Sequence, residues 1–397
     1  MKKIKNIYFI GIGGIGMSGI AEIMKNLGYK VTGSDQQKNS NVLRLKKLGV
    51  KIFIGHNSSN VENASLVVFS SAISKNNPEI KRAIKLNIPV ISRSEMLKEL
   101  MRVKSTITVA GSHGKTTTVS LIAEILDKAK LDPTVINGGI INSYGSNTKL
   151  GKSDLMLVET DESDGSFSLL PSFGGVITSI DNEHIDFYGS KKKLVDSFHS
   201  YIRNISPFGF LAVSEKDRNI QAILKNYKSL NIYKYGFSNN SDIQAKIVKK
   251  NKDGIIFDVE IKSLNKKNSF IRNINFPLIG NHNVENALAA ISVCINFKIN
   301  KSIIKNSLET FHGVKRRLTK IYDNNEIIFF DDYAHHPTEI RETLKALKSK
   351  SGRLISVIQP HRYSRLNENY GNFIKSLRDA DMSIILPIFS AGEIKIR

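Results

Sequence analysis

The chain opens on a short apolar run, residues 4–10, which breaks at glycines and passes into residues 17–27, where apolar positions recur at helical spacing. Short apolar runs at 30–32, 51–54 and 66–69 follow, with helical patterns at 41–48 and 78–86. Strands alternating with helices predict a doubly wound parallel sheet. Residues 98–104 are charged and carry no strong pattern, so they are read as a connection and the first boundary is placed there. A second segment starts with the apolar positions Ile107 and Val109, followed by a helical pattern at 119–129. Strand-like runs come at 155–159 and 175–180, and β patterns with polar turns at 232–235, 254–261 and 270–276. An amphipathic helix at 281–297 comes next. From 314 onward, strands at 326–330, 353–358 and 382–388 alternate with helices at 338–348 and 366–378. The pattern predicts an α/β protein divided at 1–104, 105–313 and 314–397, with no internal repeat.

At 397 residues, 41% of them hydrophobic, the chain has enough apolar side chains for a core in each segment. No window approaches 18 uninterrupted apolar residues, and no signal-peptide core follows Met1-Lys2-Lys3, so a soluble cytoplasmic protein is expected. The single Cys294 excludes an intrachain disulfide and reads as a buried thiol in an apolar helix. The net charge of +22 raises nucleic acid as a partner. The lysines, however, are spread through helices and loops, and runs such as Lys191–Lys193 are short. A solvated basic surface that favours anionic substrates is the better reading, with neither nucleic acid nor membrane as partner.

Candidate chemistry concentrates where strands end. AGSHGKTTT follows the strand that carries Val109 and opens a helix, so Gly111, Ser112, His113, Gly114, Lys115, Thr116 and Thr117 form a candidate nucleotide-phosphate site. Amides at a helix N-terminus point at phosphate oxygens, Lys115 adds charge, and a Thr hydroxyl can hold Mg2+. The usual phosphate loop carries a glycine where Val109 stands, so this one is shortened; an ordinary strand–helix turn is the competing explanation. GIGGIGM places Gly11, Gly13 and Gly16 in GxGxxG spacing, with Asp35 where a ribose-binding acid belongs. That pattern fits NAD-type dinucleotides, a nucleoside diphosphate sugar, or a purely structural turn. LMLVETDESDGSF sets acids at a strand end, and Glu159 comes straight off the apolar run, suited to a metal beside phosphates. SIDNEHIDFY presents His184 among acids, either as a ligand or as a hydrogen-bonded surface residue. In NHNVEN, Asn283 and Asn286 share a helix face and offer amides to a base or ribose, while Asn281 suits the helix cap. DDYAHHP and QPHRYSR bring Tyr333, His335, Arg362 and Arg365 to neighbouring strand ends, and arginines there suit a carboxylate-bearing substrate.

Taken in order, GIGGIGM, AGSHGKTTT, ETDESDGSF, GNHNVENALAA, DDYAHHPTEI and QPHRYSR resemble the Mur ligases of peptidoglycan synthesis, and the resemblance runs over essentially the whole chain. DDYAHHP with QPHR is most similar to the alanine-adding branch. The resemblance implies an N-terminal Rossmann-like UDP-sugar domain (1–104), a central P-loop-type ATPase (105–313) and a C-terminal Rossmann-like ligase domain (314–397). That last stretch is shorter than the family's, so a C-terminal domain lacking its later elements is expected. The implied activity is ATP-dependent joining of L-alanine to the lactyl carboxylate of UDP-N-acetylmuramate through an acyl phosphate, with Mg2+ or alternatively Mn2+. Lys115 would contact the β- and γ-phosphates, and Thr116 and Glu159 would hold one metal. His184 resembles a ligand of a second metal. His282, Asn283 and Asn286 resemble the adenosine group, and Arg317, with Arg316 as second choice, would reach the ATP phosphates. Gly11, Gly13, Gly14, Gly16, Asp35 and Ser70 would hold the sugar nucleotide, and Tyr333, His335, Arg362 and Arg365 the muramyl and alanine groups. Three rivals stand beside this reading: a recycling ligase that attaches a tripeptide to the same sugar nucleotide, an NAD-dependent oxidoreductase, and a non-catalytic nucleotide-binding protein.

Overall fold

The computed structural model describes the chain except residues 1–3, 71, 103, 228, 252, 263–266, 325, 349–351 and 395–397. The last three residues of the terminal SAGEIKIR run thus lie outside the described residues. The first sheet holds β1 (Asn6–Ile10), β2 (Lys30–Asp35), β3 (Lys51–Ile54), β4 (Leu66–Phe69) and β5 (Val90–Ser92), all parallel in the order β3-β2-β1-β4-β5. Helices α1 (Ile15–Asn26), α2 (Ser40–Lys47), α3 (Pro78–Lys85) and α4 (Arg93–Met101) alternate with the strands. Every residue of β1 is buried, as a central strand covered on both faces requires. One face packs Ile20, Met24 and Val42 beneath α1 and α2, and the other packs Tyr8, Ile10, Ile80 and Ala83 beneath α3.

The second sheet contains β6 (Ser105–Ala110), β7 (Thr134–Ile141), β8 (Ser146–Lys149), β9 (Leu155–Glu159), β10 (Ser172–Ile177), β11 (Ile205–Ser214), β12 (Asn231–Gly236), β13 (Ile243–Asn251), β14 (Gly254–Ile261) and β15 (Ser269–Phe276). Their order is β15-β14-β13-β12-β11-β10-β6-β9-β7-β8, parallel from β7 through β13 with antiparallel strands at both ends. Helix α5 (Lys115–Lys128) packs against one face with α9 (Asn281–Asn296) and α10 (Lys301–Glu309), and α7 (Lys191–Arg203) with α8 (Arg218–Leu224) covers the other. The short α6 (Ile185–Tyr188) lies between β10 and α7. Cys294 is buried in α9, as expected. In the C-terminal part, β16 (Thr319–Asp323) pairs antiparallel with β17 (Ile328–Asp331), and β18 (Ile355–Ile358) pairs parallel with β19 (Met382–Ile385). Helices α11 (Pro337–Lys348) and α12 (Tyr363–Ser376) pack through Ile340, Leu344 and Phe373. Among the described residues these strands make two two-stranded sheets.

Two expectations are corrected. Residues 98–101 are the end of α4, not a connection. That helix starts at a capping box: Ser92 Oγ accepts from the Glu95 amide at 3.2 Å, and Glu95 Oε2 accepts from the Ser92 amide at 2.7 Å. Its apolar positions Met96, Leu97, Leu100 and Met101 are interrupted by Lys98 and Glu99, and only Met96 and Met101 among them are buried, so the charged residues masked the helical spacing. The cap of α9 is Gly280, at φ 91°, and Asn281 is the first helical residue with no capping role. Strands β7, β11 and β13 also escaped the pattern, because glycines, a proline or an outward run of lysines interrupt them.

The first two sheets share one apolar cluster. Ile20 and Met24 of α1 join Ile136, Met156 and Val158 of the second sheet. Arg44 reinforces the joint by reaching Glu22, Ser146 Oγ (2.6 Å) and Asn147 Oδ1 (3.2 Å). No helix among the described residues is long and apolar enough to cross a membrane. Replacing Ile20 by Ala should cost about 2–5 kcal/mol in urea unfolding and shift both sheets together in one transition. Separate transitions for the two sheets would contradict a shared core.

Candidate active site

Strand β6 delivers the phosphate loop. Gly111, at φ 125°, lies so close to Thr178 and Ser179 that a Cβ would strike both. Gly114, at φ 79°, is the N-cap of α5 and touches Asn286 in the same way. Only glycine suits either position. The loop is pinned by Ser112 N–H to Ser179 O (3.0 Å) and His113 N–H to Ser179 Oγ (3.1 Å). No side chain caps α5, so its N-terminus stays open to an anion.

Lys115 folds back over this loop. Its Nζ donates to Gly111 O (2.5 Å) and pairs with Glu162 (2.8 Å), with only 14% of the side chain exposed. Burial opposes its charge, but Glu162 and Glu159 outweigh burial and keep the ammonium protonated. Burial pushes Glu162 up to about 7 against the pull of Lys115, with Glu183 and Asp161 adding to the push. Beside it, Thr116 Oγ1 donates to Glu159 Oε1 (3.0 Å) and accepts from Arg317 Nη2 (3.2 Å), while Glu159 Oε2 accepts from Gly138 N–H (2.6 Å). A hydroxyl and a carboxylate side by side are hard oxygen donors and fit Mg2+. His184, at φ 57° before α6, is pushed down to about 4 by burial and so stays neutral, with a nitrogen free to bind a cation. Ligand atoms of Glu162, Glu183 and His184 lie within 4.8 Å of one another.

Next to the loop, a cavity of about 480 Å³ is lined by Gly114, Thr117, Tyr235, His282, Asn283, Asn286 and Arg317. Its volume suits a nucleoside. Asn286 Nδ2 donates to Asn283 Oδ1 (3.3 Å), and Asn283 Nδ2 to Ile279 O (2.8 Å), so the amides are held in one orientation. His282 Nδ1 is buried without a partner among the described residues.

The C-terminal residues close over the same loop. His113 Nε2 meets Asp181 Oδ2 at 3.1 Å, and its Nδ1 lies 3.5 Å from Glu339 Oε1. Thr338 Oγ1 at the start of α11 donates to Asp181 Oδ2 (2.7 Å). Burial opposes the charge on His113, but Asp181 and Glu339 raise it to about 10, and the imidazolium holds Asp181 well below the usual carboxylate range. Tyr333 packs against the guanidinium groups of Arg316 and Arg317 at 4.9 and 5.7 Å. His335 lies between Tyr333, which it meets edge-on, and the tilted ring of His361, and Arg365 Nη1 lies 3.2 Å from His361 Nδ1. Arg362 and Arg365 line one narrow cleft with Glu183 and His184.

The residues named from the second and third segments therefore converge on one region. Those of the first segment form a separate loop at the ends of β1 and β4, where the strand order reverses. Gly13 N–H donates to Asp35 Oδ2 (2.8 Å), Asn39 and Asn41 hold Gly13 O, and Ser70 lies against Gly11. In this structure Asp35 anchors the loop itself. Sequence reasoning missed Glu162, Glu183, Asp181, Thr338 and Glu339. Glu162 stood in the quoted acidic run, but nothing in spacing separates it from Asp161 or Asp164. The other four are placed only by the fold.

Three family models match the chain in order: Mur ligase family, catalytic domain, over residues 6–105; Mur ligase middle domain, over 109–294; and Mur ligase, glutamate ligase domain, over 316–393. The UDP-N-acetylmuramate–L-alanine ligase of Rhodospirillum centenum is 46% identical over 392 residues, 98% of this chain and 81% of that protein. That of Pelagibacter ubique is 46% identical over 395 residues, 99% of this chain and 85% of that protein. The crystal structure of the UDP-N-acetylmuramate–alanine ligase from Thermotoga maritima matches at TM-score 0.82 and 29% identity, covering 98% of this chain and 86% of that one. A murein peptide ligase from Psychrobacter arcticus shares the fold at TM-score 0.76 and 24% identity, covering 96% and 91%.

The buried imidazoles carry a pH dependence. Burial pushes His282, His335 and His336 down to about 4, whereas in the unfolded chain each titrates near 6.5. The unfolded chain thus binds more protons below 6.5, and each group's contribution is present above that pH and lost as the pH falls toward 4. His113 runs the other way, contributing fully below 6.5 and losing its contribution as the pH rises through about 10. Urea unfolding between about pH 7 and pH 4.5 should show a larger loss of stability in the wild type than in His282→Gln. Equal slopes would remove His282 from the account.

Proposed function

We infer the reaction from one premise: the chain belongs to the Mur ligase family, and its three domain models match in order. It is an ATP-dependent ligase that joins L-alanine to the lactyl carboxylate of UDP-N-acetylmuramate in peptidoglycan precursor synthesis. The observation that carries this is 46% identity to ligases of that name over 98% or more of the chain. The geometry supports it, since an open helix N-terminus, a buried lysine and an arginine from the C-terminal part meet at one loop.

A carboxylate resists attack by an amine until one of its oxygens becomes a leaving group. Transfer of the ATP γ-phosphoryl to the lactyl carboxylate gives an acyl phosphate and ADP. The amine of L-alanine then adds to the acyl carbon, and phosphate leaves from the tetrahedral intermediate. Catalysis of the first step is mainly positioning and neutralisation of the phosphoryl oxygens. In this proposal the α5 amides, Lys115 and Arg317 supply that neutralisation, and His282, Asn283 and Asn286 seat the adenosine. Thr116 and Glu159 would hold one Mg2+ and His184 a second, and such ions when bound neutralise phosphate charge. Tyr333, His335, Arg362 and Arg365 orient the muramyl and alanine carboxylates, and the Gly11–Gly16 loop with Asp35 and Ser70 takes the UDP diphosphate and ribose. Residues 1–104, 105–313 and 314–397 are the corresponding domains, and the enzyme works in the cytoplasm, where ATP and the sugar nucleotide are found.

Phosphate release with ATP, Mg2+ and UDP-N-acetylmuramate should be fast with L-alanine and slow with a tripeptide or no acceptor. Release at the same rate without the sugar nucleotide would overturn the reading, and preference for the tripeptide would reassign the acceptor. Lys115→Ala should lower kcat, measured on the folded protein, by about 10²–10³-fold, and should also lower the melting temperature, because Glu162 loses its buried partner. Arg362→Ala should raise KM for the sugar nucleotide more than KM for ATP.

A further inference from the structure

Arg93 stands outside every group used above, yet its guanidinium lies between two of them. The Ser92–Glu95 capping box sets it as the first residue of α4. From there Nη1 occupies the space that a Cβ at Gly16 would fill, beside the first turn of α1. Nη2 lies 3.8 Å from Asp161 Oδ2 and 3.7 Å from Asp164 Oδ2, in the acidic stretch that also carries Glu162. Only 23% of the side chain is exposed.

These distances are too long for hydrogen bonds, and among the described residues the Arg93 side chain makes none. Both carboxylates are committed elsewhere through their other oxygens, Asp161 to the Ser163 amide (2.9 Å) and Asp164 to Ser166 (amide 3.0 Å, hydroxyl 2.5 Å). A largely buried fork of five donors with none engaged loses hydration without replacement. The neighbouring acids offset the charge but not the hydrogen bonds. A doubly charged diphosphate at the glycine loop would supply both, because a guanidinium grips phosphate oxygens in pairs. The uncapped N-terminus of α1, with Gly14 as N-cap, faces the same space.

We propose that Arg93 is a substrate-binding residue that grips the diphosphate of the sugar nucleotide at the Gly11–Gly16 loop and sets its preference for a diphosphate over a monophosphate. The inference rests on the reading that this loop receives the diphosphate. Asp161 and Asp164 hold the guanidinium at the mouth of the loop until the nucleotide arrives, so the first segment and the acidic strand end meet through one side chain.

Calorimetric titration of the full chain with UDP and with UMP tests this, in the wild type, Arg93→Ala and Arg93→Lys. The wild type should bind UDP more tightly than UMP. Arg93→Ala should lose about 10- to 100-fold in UDP affinity, and much less for UMP. Arg93→Lys should recover only part, because an ammonium keeps the charge without the fork. KM for ATP should stay within about twofold, since the ATP groups lie elsewhere. A lower melting temperature in Arg93→Ala with the UDP-to-UMP ratio unchanged would overturn the proposal and leave an ion pair between segments. Absence of UDP binding by the wild type would instead bring down the loop reading, and the inference with it.

Discussion

A single buried cation organises the centre of this molecule. Lys115 is shielded from water, and an isolated ammonium there would shed its proton. It stays charged because Glu162 touches it and Glu159 lies close by, at the end of β9, the neighbour of the β6 strand that leads into the loop. That arrangement requires β6 and β9 to be neighbours, the loop between β6 and α5 to turn on left-handed glycines, and the acids to leave β9 at its C-terminal end. Removing any of these leaves a buried charge unpaired. The parallel sheet, the glycines and the acidic stretch are thus one electrostatic requirement expressed three times.

Around that centre the two joints of the chain differ in kind. The first sheet is joined to the second mainly by apolar packing of α1 against β7 and β9, with Arg44 and Arg93 adding polar contacts around it. The C-terminal part meets the phosphate loop through His113, Asp181, Thr338 and Glu339, and through Arg317 on Thr116. That joint is polar and charged, and it lies where ATP phosphates would come and go. A ligase of this kind must admit three substrates and exclude water during the transfer. A mainly apolar joint on one side and a polar, charged joint on the other suit those demands.

Much of the site was legible because its chemistry is local. A strand, two glycines, a lysine and a threonine imply a phosphate loop from neighbours in sequence alone, and the arginines of QPHRYSR stand out by type. Other parts were not legible. Asp181 and Glu339 are ordinary acids in sequence, and become partners of His113 only because the end of β10 and the start of α11 come to the same place. Asp35 reads as a ribose acid by spacing, and only the fold shows that its carboxylate also accepts from the Gly13 amide and so holds the loop.

By itself, the sequence determined the alternation of strands and helices, the positions where backbone must turn left-handed, and the order of the motifs that assign the family. These depend on residues within a turn or two of each other, where hydrophobic period and glycine freedom act directly. Only the tertiary structure decided which acid holds Lys115, which residues of the C-terminal part reach the phosphate loop, and where α4 aims the guanidinium of Arg93. Each of those depends on distance between segments far apart in the chain, and a charge acts on whatever the fold brings within a few ångströms, whatever its place in the sequence.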